Sequence, residues 1–554
     1  MGFDLSNFSD AALDADYLAY LVEQEAVDAN VHFSRLWEYF RNPISPAAGI
    51  AADALNANSR PYFQAQEAGL PARITGVNRF GLGAERVTNI SRKEVVIEND
   101  IAWRLHTMVD FLFGKPVSIR SLAREPRLAK TIEAITHDLF QANGGQTFFQ
   151  ELALLGAIHG FVDIVVRTPS DWAVGSMPSF ASPYPVPAGS ASAAGATGQE
   201  TSLPVPPLPA RLGPQTSGSA VARARQLAKR LALEIVEAPR ILPILDEDDY
   251  RTVRYWIQCY RKQTARLASG ANPVVSFGWA GRRDAQPKTV EVVEILGSHW
   301  WQRYEDRALL AEGPNALGRL PVIHIQNVSL PGGYEGLGDV EPLVPLQDEL
   351  NTRLSDRASR VTYQSFKMYL AKGIEDFLDR PIGPGQMWST PNPAASVQEF
   401  GHDAGSPSED AHIEQIRQAM DKVSGVTGLA AGLIRGHVGN LTSATALKVL
   451  LSGLLARNER KRMTYGRGLG ETVELVLSLL DNAGVLPTAP EDRRVEIHWP
   501  SPLPEDETQR LANAQTKVAL GVPSRRVLTE LGYDRDVLGA SRPDAKPSQA
   551  NGKT

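Results

Sequence analysis

The stretch GLIRGHVGNLTS at residues 432–443 combines a supple backbone with two side chains that can contact phosphate. Gly432, Gly436 and Gly439 allow backbone conformations that other residues disfavour. Arg435 carries a permanent positive charge, whereas the charge of His437 depends on pH. Three interpretations of this stretch are open: a phosphate-binding loop, a simple spacer, or a segment that moves against something passing by it.

Motifs typical of enzymes are missing from the sequence. It contains no G-x-x-x-x-G-K-[ST], H-E-x-x-H, C-x-x-C or G-x-S-x-G. The carboxylate run DEDD at 246–249 could bind a divalent cation through oxygen ligands, although a solvated turn between two strands is the favoured interpretation. The single cysteine, Cys259, lies among aromatic residues and is predicted to be a packed thiol. The sequence therefore predicts a protein without catalytic residues, metal or cofactor.

The net charge argues against a strong grip on nucleic acid. The chain of 554 residues has a net charge of −6 and a pI of about 6.0, whereas DNA-binding domains usually carry a basic surplus. A local exception is the stretch RNERKRMTYGR. Its cations are Arg457, Arg460, Lys461, Arg462 and Arg467. They form either a solvated basic face, which could pair with acids of a neighbouring subunit, or a belt that faces DNA.

Hydrophobic periodicity divides the chain into helix-rich and strand-rich regions. Helical patterns cover roughly the first 60 residues, a helix over 101–112 and another over 126–142. Between 231 and 330 the pattern alternates and is rich in Val, Ile, Tyr and Trp, as in strands. The Pro/Ala/Gly-rich segment 169–220 is predicted to be a flexible insertion. This combination predicts an α+β fold, and no apolar run approaches the ~20 residues of a membrane helix.

Three further helices are predicted in the second half of the chain. The first covers 342–363, and the second begins at a capping box from Ser406 to Glu409. The third covers 443–481, and the glycines of GRGLG at 466–470 are expected to bend or break it. The first two helices carry the polar residues Asp348, Glu349, Asn351, Asp356, Glu414 and Asp421. Strand-like pieces between these two helices predict a small β-module.

The order of these elements carries a resemblance to a known family. A strand-rich region is followed by GLGDVEPLVPLQDELNTRLSDRASR, the β-module, a helix, the glycine loop and TSATALKVLLSGL at the start of a long helix. This order resembles the portal proteins of tailed bacteriophages, in particular the SPP1-like branch. The residues that carry the resemblance are Gly338, Asp339, Leu346, Gln347, Asp348, Asn351, Ser355, Asp356, Ser443, Ala446, Leu447 and the stretch WPSPLPEDETQRL at 499–511. It covers roughly 85–168 and 231–535, and the insertion 169–220 departs from the family pattern.

The resemblance implies a portal-like architecture with an α+β wing, a two-helix stem, a small β-containing clip, a long wing helix and a helical crown. The corresponding segments are an N-terminal helical segment at 1–84, the wing at 85–341 with the insertion 169–220, the stem helices at 342–363 and 408–425, the clip at 364–407, a tunnel loop at 432–443, the long wing helix at 443–484, the crown at 485–535 and a disordered tail at 536–554. The tunnel-loop residues would be Gly432, Arg435, Gly436, His437, Gly439 and Asn440. A loop that projects into a DNA channel needs weak phosphate contact, freedom to move and a firm base, which selects the third interpretation of this stretch.

The resemblance also implies a function. Portal proteins form a ring, usually of twelve copies, at one capsid vertex, and double-stranded DNA is packaged and ejected through it. The implied partners are further copies of the chain, major capsid and scaffolding proteins, the terminase large subunit, a head–tail connector or adaptor, and double-stranded DNA without sequence specificity, but no membrane. The implied location is the virion, and the host cytoplasm during assembly. Two alternatives stay open: a ring-forming virion adaptor that is not a portal, and a metal-dependent nuclease or hydrolase, which would need a carboxylate cluster that the sequence does not show.

Overall fold

A computed structural model describes residues 3–8, 13–46, 62–78, 85–86, 94–168, 217–249, 252–264, 288–315, 317–365, 368–372, 392–400, 407–430, 448–503, 507–524, 527–528 and 531. The helices are α1 (Ala15–Tyr20), continued by a π-helical turn (Leu21–Glu25) into α2 (Ala26–Arg41), α3 (Ala72–Thr75), α4 (Asp100–Phe113), α5 (Pro126–Ala142), α6 (Gln146–His159), α7 (Ser217–Arg230), α8 (Val344–Ser365), α9 (Pro407–Ser424), α10 (Ser452–Asn482) and α11 (Glu507–Ala519). Short 3-10 turns lie at Ala65–Gly69, Ala238–Arg240, Glu341–Leu343 and Pro490–Arg493. Within these ranges, no helix is both long and apolar enough to cross a bilayer.

The strands form two larger antiparallel sheets and several two-stranded ones. They are β1 (Ile44–Pro46), β2 (Tyr62–Gln64), β3 (Val77–Asn78), β4 (Glu85–Arg86), β5 (Ser118–Ser121), β6 (Phe161–Arg167), β7 (Ala232–Glu237), β8 (Ile241–Leu245), β9 (Val253–Thr264), β10 (Lys288–Leu296), β11 (Trp300–Glu305), β12 (Ala308–Pro314), β13 (Val322–Gln326), β14 (Met368–Lys372), β15 (Ser396–Phe400) and β16 (Val495–His498). One sheet has the order β12-β11-β10-β9-β8 and the other β13-β6-β7; the pairs are β1-β2, β3-β4, β5-β16 and β14-β15. The predicted α+β fold class is confirmed.

Local sequence signals set the helix boundaries between residues 126 and 160. α5 begins with Pro126, whose missing N–H costs nothing at a first helical position. The chain then turns through Gly144 and Gly145, with φ of +105° and +57°, conformations that glycine adopts without a steric penalty. α6 ends at Gly160, and β6 follows as a strand buried along its whole length. The helix predicted over 126–142 is confirmed.

Buried polar contacts join the two larger sheets. Asp163 on β6 accepts hydrogen bonds from Trp256 Nε1 on β9 and from the Tyr334 hydroxyl, both at 2.6 Å. At the end of β6, both terminal nitrogens of Arg167 donate to the carboxylate of Glu294 on β10, at 2.9 and 2.8 Å. Such bidentate pairs restrict geometry as well as neutralising buried charge. The sheets are therefore fixed to each other by directional bonds and not by apolar packing alone.

Helices α8 and α9 share the main core with both sheets. Their buried side chains include Leu350, Leu354, Ile413, Ile416 and Met420, which belong to one apolar cluster together with residues of α2, α4 and β6. Both predicted helices are therefore present, and each buries an apolar face over this part of its length. α9 begins at Pro407, as the capping signal predicts.

The long helix α10 is continuous through its glycine cluster, so the predicted break at 466–470 is wrong, whereas the bend stays a prediction. Gly468 is buried, and a Cβ placed on it would lie 2.3 Å from Ile325 Cγ1 of β13. The glycine allows the helix to lie close to the sheet. Tertiary packing thus outweighs the unfavourable helix propensity of glycine, which is about 1 kcal/mol.

This close approach predicts opposite effects for two neighbouring glycines. Gly468→Ala is expected to lower the free energy of unfolding by about 1–3 kcal/mol, because the added methyl overpacks against Ile325. Gly470→Ala is the matched control, since its Cβ would meet only Val495 Cγ2 at 4.0 Å. The control should raise stability by about 0.5–1 kcal/mol through helix propensity. Urea unfolding of both variants measures this; equal effects in the two would contradict the close packing.

Residues 499–554 form a second unit, separate from 1–498. Its main described element is α11, in which Ala514 is buried while Leu511 and Val518 are exposed. α11 lies within the segment 485–535 predicted to be a helical crown, but that segment also contains β16 (Val495–His498), which pairs with β5.

Candidate functional site

Helices α8 and α9 lie side by side in opposite directions, with ion pairs along one edge. Arg357 Nη1 lies 3.0 Å from Asp410 Oδ1, and Arg360 pairs with Glu409. Both acids lie in the first turn of α9, where the helix dipole favours negative charge. Partly exposed pairs of this kind contribute at most ~1 kcal/mol each. They mainly fix the position of one helix along the other.

One buried face of α8 binds the backbone of the extended segment that leads into α4. The three bonds are Asp100 N to Gln347 Oε1 at 3.1 Å, Glu98 N to Asn351 Oδ1 at 3.1 Å, and Val96 N to Ser355 Oγ at 3.0 Å. Side chains four residues apart on the helix thus contact every second N–H of the segment. The spacings match, because four helical residues rise about 6.0 Å and two extended residues about 6.6 Å. We call Gln347, Asn351 and Ser355 the polar row. Its side-chain oxygens accept the backbone N–H bonds that a neighbouring strand would accept in a sheet.

The polar row is completely buried and also holds an N-terminal turn. Asn351 Nδ2 donates to Gln66 Oε1 at 2.9 Å, and Gln347 Nε2 donates to Asn351 Oδ1 at 3.0 Å. Gln66 in turn donates to the carbonyl of Tyr39 at 2.7 Å. These residues are among those that carry the family resemblance, and their contacts explain why a polar pattern lies on a buried helix face.

The other polar residues predicted on these helices divide between anchoring and solvent. Asp348 accepts a hydrogen bond from the Tyr39 hydroxyl at 2.7 Å, and Asp356 pairs with Arg73 at 2.5 Å. Glu414 is exposed. The contacts of the remaining ones are Glu349 with Arg353 at 2.7 Å and His412 at 3.4 Å, and Asp421 with Arg104 at 2.5 Å. Most of these groups therefore attach the helices to their surroundings.

A buried charge network ties α10 to the chain just before α8. The Asp339 carboxylate accepts from Lys461 Nζ at 2.5 Å, Arg457 Nε at 2.9 Å and Asn327 Nδ2 at 2.9 Å. Burial alone would raise the pKa of Asp339, but Lys461 and Arg457 outweigh it and lower the pKa. The carboxylate is therefore ionised in the interior, where each of its two oxygens contacts a cationic side chain.

The two chain ends that flank residues 431–447 are held together. Gly425 terminates α9 with φ of +72°, and a Cβ placed on it would lie 3.5 Å from the backbone of Gly453 at the start of α10. Val426 and Leu454 pack in one buried cluster with Met108 of α4. We call Gly425, Val426, Gly453 and Leu454 the loop base. A segment that leaves and returns through this base has both ends fixed on the same support.

Arg104 of α4 fastens the loop base from the interior. Its Nη1 donates to the Val426 carbonyl at 2.6 Å and to Asp421 Oδ1 at 2.5 Å, and its guanidinium lies over the Trp103 ring at 4.4 Å. Arg104 is only 1% exposed. Sequence reasoning missed this residue, although a charge on the apolar face of the 101–112 helix was a usable signal, because such a charge must find partners when buried.

Comparison with known proteins identifies the family. Residues 218–532 match the family model described as phage portal protein, SPP1 Gp6-like. This chain belongs to that portal protein family. A search of curated proteins finds no match. A chain in the solved virion of native gene transfer agent (GTA) particle is similar, with a TM-score of 0.39 and 10% identity over 78% of this chain and 89% of that chain. The portal family is a structural one, in agreement with the prediction of a non-enzymatic bacteriophage virion protein.

In this portal-family chain, the five cations predicted as a basic belt do not share one surface. Arg457 and Lys461 point inward to the buried charge network, so neither faces outward. Arg462 is largely covered, whereas Arg460 and Arg467 are exposed. A contact of the exposed pair with DNA stays a prediction. The predicted tunnel-loop residues Gly432, Arg435, Gly436, His437, Gly439 and Asn440 lie outside the described residues.

The carboxylate run at 246–249 forms a tight turn between β8 and β9. Asp246 Oδ1 accepts from the backbone N–H groups of Asp248 and Asp249 at 3.0 and 3.2 Å. No group of His, Cys, Asp and Glu residues suited to holding a metal occurs in the part of the chain that the structure describes. Cys259 is partly buried on β9, and burial raises the pKa of its thiol to about 12. The turn and the packed thiol agree with the structural interpretations of both features.

Proposed function

We propose that the chain is the subunit of a portal ring of twelve copies at one capsid vertex, through which double-stranded DNA is packaged and ejected. The observation that carries this proposal is the family match over 218–532, a range that also contains the loop base. A segment of 17 residues, 431–447, enters and leaves through fixed ends. Such an arrangement suits a loop that is displaced by DNA while its attachment stays in place.

The elements are assigned to the parts of a portal as follows. Strands β4 to β13 and helices α4 to α7 are assigned to the wing at 85–341, and α1 to α3 to the N-terminal segment at 1–84. α8 and α9 are assigned to the stem at 342–363 and 408–425, and the β14-β15 pair to the clip at 364–407. The long wing helix at 443–484 includes α10, and α11 belongs to the crown at 485–535. The antiparallel contact of α8 and α9, with the paired strands β14 and β15 between them in the sequence, supports this assignment because it matches the order stem helix, clip, stem helix.

Electrostatics supports passage of DNA rather than firm binding. Twelve chains of net charge −6 give a ring of about −72, so much of its surface repels phosphate. In this proposal, Arg435 and His437 of the tunnel loop form a sparse basic ring in the channel, since each subunit contributes one copy of both. One cation per subunit provides contact with the backbone of DNA without sequence readout.

The partners follow from this placement. The clip is the docking site for the terminase large subunit and afterwards for a head–tail connector, and the wing faces the major capsid and scaffolding proteins. The protein is present in the host cytoplasm during assembly and in the virion afterwards.

Native mass and shape test the ring directly. Twelve chains of 60.3 kDa weigh about 724 kDa, and end views by negative-stain imaging should show a ring with a central hole. Mass photometry of the full chain provides the subunit number. A stable monomer or dimer under conditions that favour assembly would contradict the proposal. A closed ring without a channel would favour the virion adaptor.

A charge reversal in the loop tests its contact with DNA. Arg435→Glu is expected to reduce the amount of DNA packaged in an in vitro reaction by roughly tenfold, because a ring of carboxylates in the proposed channel would repel phosphate. Glu414→Gln, an exposed change on α9, is a control for altered charge elsewhere. Unchanged packaging by the Arg435→Glu ring would contradict a contact role for this residue.

A further inference from the structure

The N-terminal helix exposes an apolar stripe on an acidic surface. Tyr17, Tyr20, Val27 and Val31 are between 43% and 61% exposed, and the two tyrosine rings stack with centroids 6.5 Å apart. The acids around them are Asp14, Asp16, Glu23, Glu25 and Asp28. Glu23 pairs with Arg307, and residues 14–31 themselves contain no Lys or Arg. Exposed aromatic side chains on one face are typical of protein interfaces. We call this surface the acidic stripe.

The first half of α10 and the turn before it expose a stripe of the opposite charge. Met463 is 71% exposed, and the exposed Arg460 and Arg467 lie on the same side of the helix at spacings of three and four residues from it. Val449, in the helical turn at 448–450, is 68% exposed. Two exposed acids lie beside these cations: Glu471 is 3.7 Å from Arg467, and Glu459 pairs with Arg462. Together with the exposed Lys448, the cations still outnumber these acids. Ala456 continues this side toward the loop base. Met and Arg are also enriched in interfaces. We call this surface the basic stripe.

The two stripes lie on different layers of the same unit. The N-terminal helix covers the five-stranded sheet, where Leu18, Leu21 and Val22 pack with Ile257 and Ile295. α10 lies instead against the three-stranded sheet, as the contact of Gly468 with Ile325 shows. The chain therefore offers two separate surfaces that match in charge and both contain exposed apolar groups.

We propose that the acidic stripe of one subunit docks on the basic stripe of the next copy of this chain. This inference rests on the proposed ring and names the surfaces that close it. A ring requires a head-to-tail contact between two unlike surfaces, which is what two complementary stripes on one subunit provide. DNA is a poorer occupant for the pair, because it would be repelled by the acidic stripe and would leave Met463, Tyr17 and Tyr20 uncovered.

Charge reversal and charge exchange test this docking in the full chain. Asp16→Lys with Asp28→Lys, or Arg460→Glu with Arg467→Glu, should each raise the concentration for half-assembly by on the order of tenfold. The chain carrying all four changes restores opposite charges across the contact and should assemble close to the unchanged protein. Circular dichroism of each variant controls for folding. General destabilisation cannot explain recovery in the fourfold variant, because the destabilising effects of its four substitutions would add and weaken assembly further.

Cross-linking tests the direction of the contact. In a Cys259→Ala background, Tyr20→Cys and Met463→Cys on the same chain should give a ladder up to the full ring with a short thiol-specific cross-linker. A mixture of the two single variants should stop at dimers.

Rings of the expected mass with no ladder, and with assembly insensitive to the reversals, would overturn this contact while leaving the ring intact. Loss of DNA association with normal assembly in Arg460→Glu/Arg467→Glu would assign the basic stripe to DNA instead. An unchanged protein that stays monomeric would overturn both the ring and the contact.

Discussion

Asp339→Ala is expected to lower the free energy of unfolding by about 3–5 kcal/mol, because it leaves buried cations without their carboxylate. Lys461 is completely buried, and burial already lowers its pKa. In the variant, the charge of Asp339 no longer opposes the effect of burial, so the pKa of Lys461 is expected to fall further below its ordinary value of 10.5 and folding to favour the neutral amine. This cost shrinks as the pH rises toward that value. Urea unfolding at about pH 7 and about pH 10 should therefore show the larger loss at the lower pH.

The controls separate this effect from a general weakening of α10. Arg460→Ala changes an exposed cation on the same helix and should alter stability by less than about 0.5 kcal/mol. A variant in which Asp339, Arg457 and Lys461 are all replaced by apolar residues should recover most of the lost free energy of unfolding, because no buried charge is then left unpaired. In the unchanged chain, the lowered pKa of Asp339 stabilises the fold above its ordinary value of 3.8, and this contribution is lost as the pH falls. A loss that is the same at both alkaline and neutral pH would contradict the role of Lys461.

Asn351→Leu is expected to lower the free energy of unfolding by about 3 kcal/mol, because a side chain of similar volume leaves several buried polar groups without partners. The Glu98 N–H and the Gln347 amide lose their acceptor, and Gln66 loses its donor. The effect should also be local. Hydrogen exchange measured by mass spectrometry should show faster exchange in segment 94–99 than in β6.

Arg357→Leu is the matched control for the polar row, since it lies on the same helix in a surface ion pair with Asp410. It should cost less than about 1 kcal/mol and leave the exchange of segment 94–99 unchanged. If both leucine variants behave alike, the backbone of this segment does not depend on Asn351.

Local signals in the sequence predicted the helices well, because they act within a few residues. Pro126 and the glycines at 144 and 145 set α5, and Pro407 sets the start of α9. The interior of α10 was predicted less well. Glycine propensity argues for a break there, but the contact that favours a continuous helix is with Ile325, more than a hundred residues away in the chain.

In the candidate site, too, the residue types were predictable from the sequence, whereas their contacts with distant residues were not. The sequence identified polar residues on α8 and cations on α10, but periodicity does not tell a buried partner from a solvated face. Lys461 pairs with Asp339 across 122 residues, and Arg104 reaches Val426 across 322 residues. Both depend on the arrangement of distant elements, which a single sequence does not specify.

One guanidinium has a mechanical consequence. Arg457 of α10 holds Asp339 just before α8, and its Nη1 also donates at 3.1 Å to the carbonyl of Val423 in the last turn of α9. The planar group has fixed donor directions, so the three helix ends it joins are unable to swivel independently. Rotation of the α8–α9 pair relative to α10 would break at least one of these hydrogen bonds. The three helix ends are therefore expected to rotate together, so that a torque on the pair acts on the long helix as well.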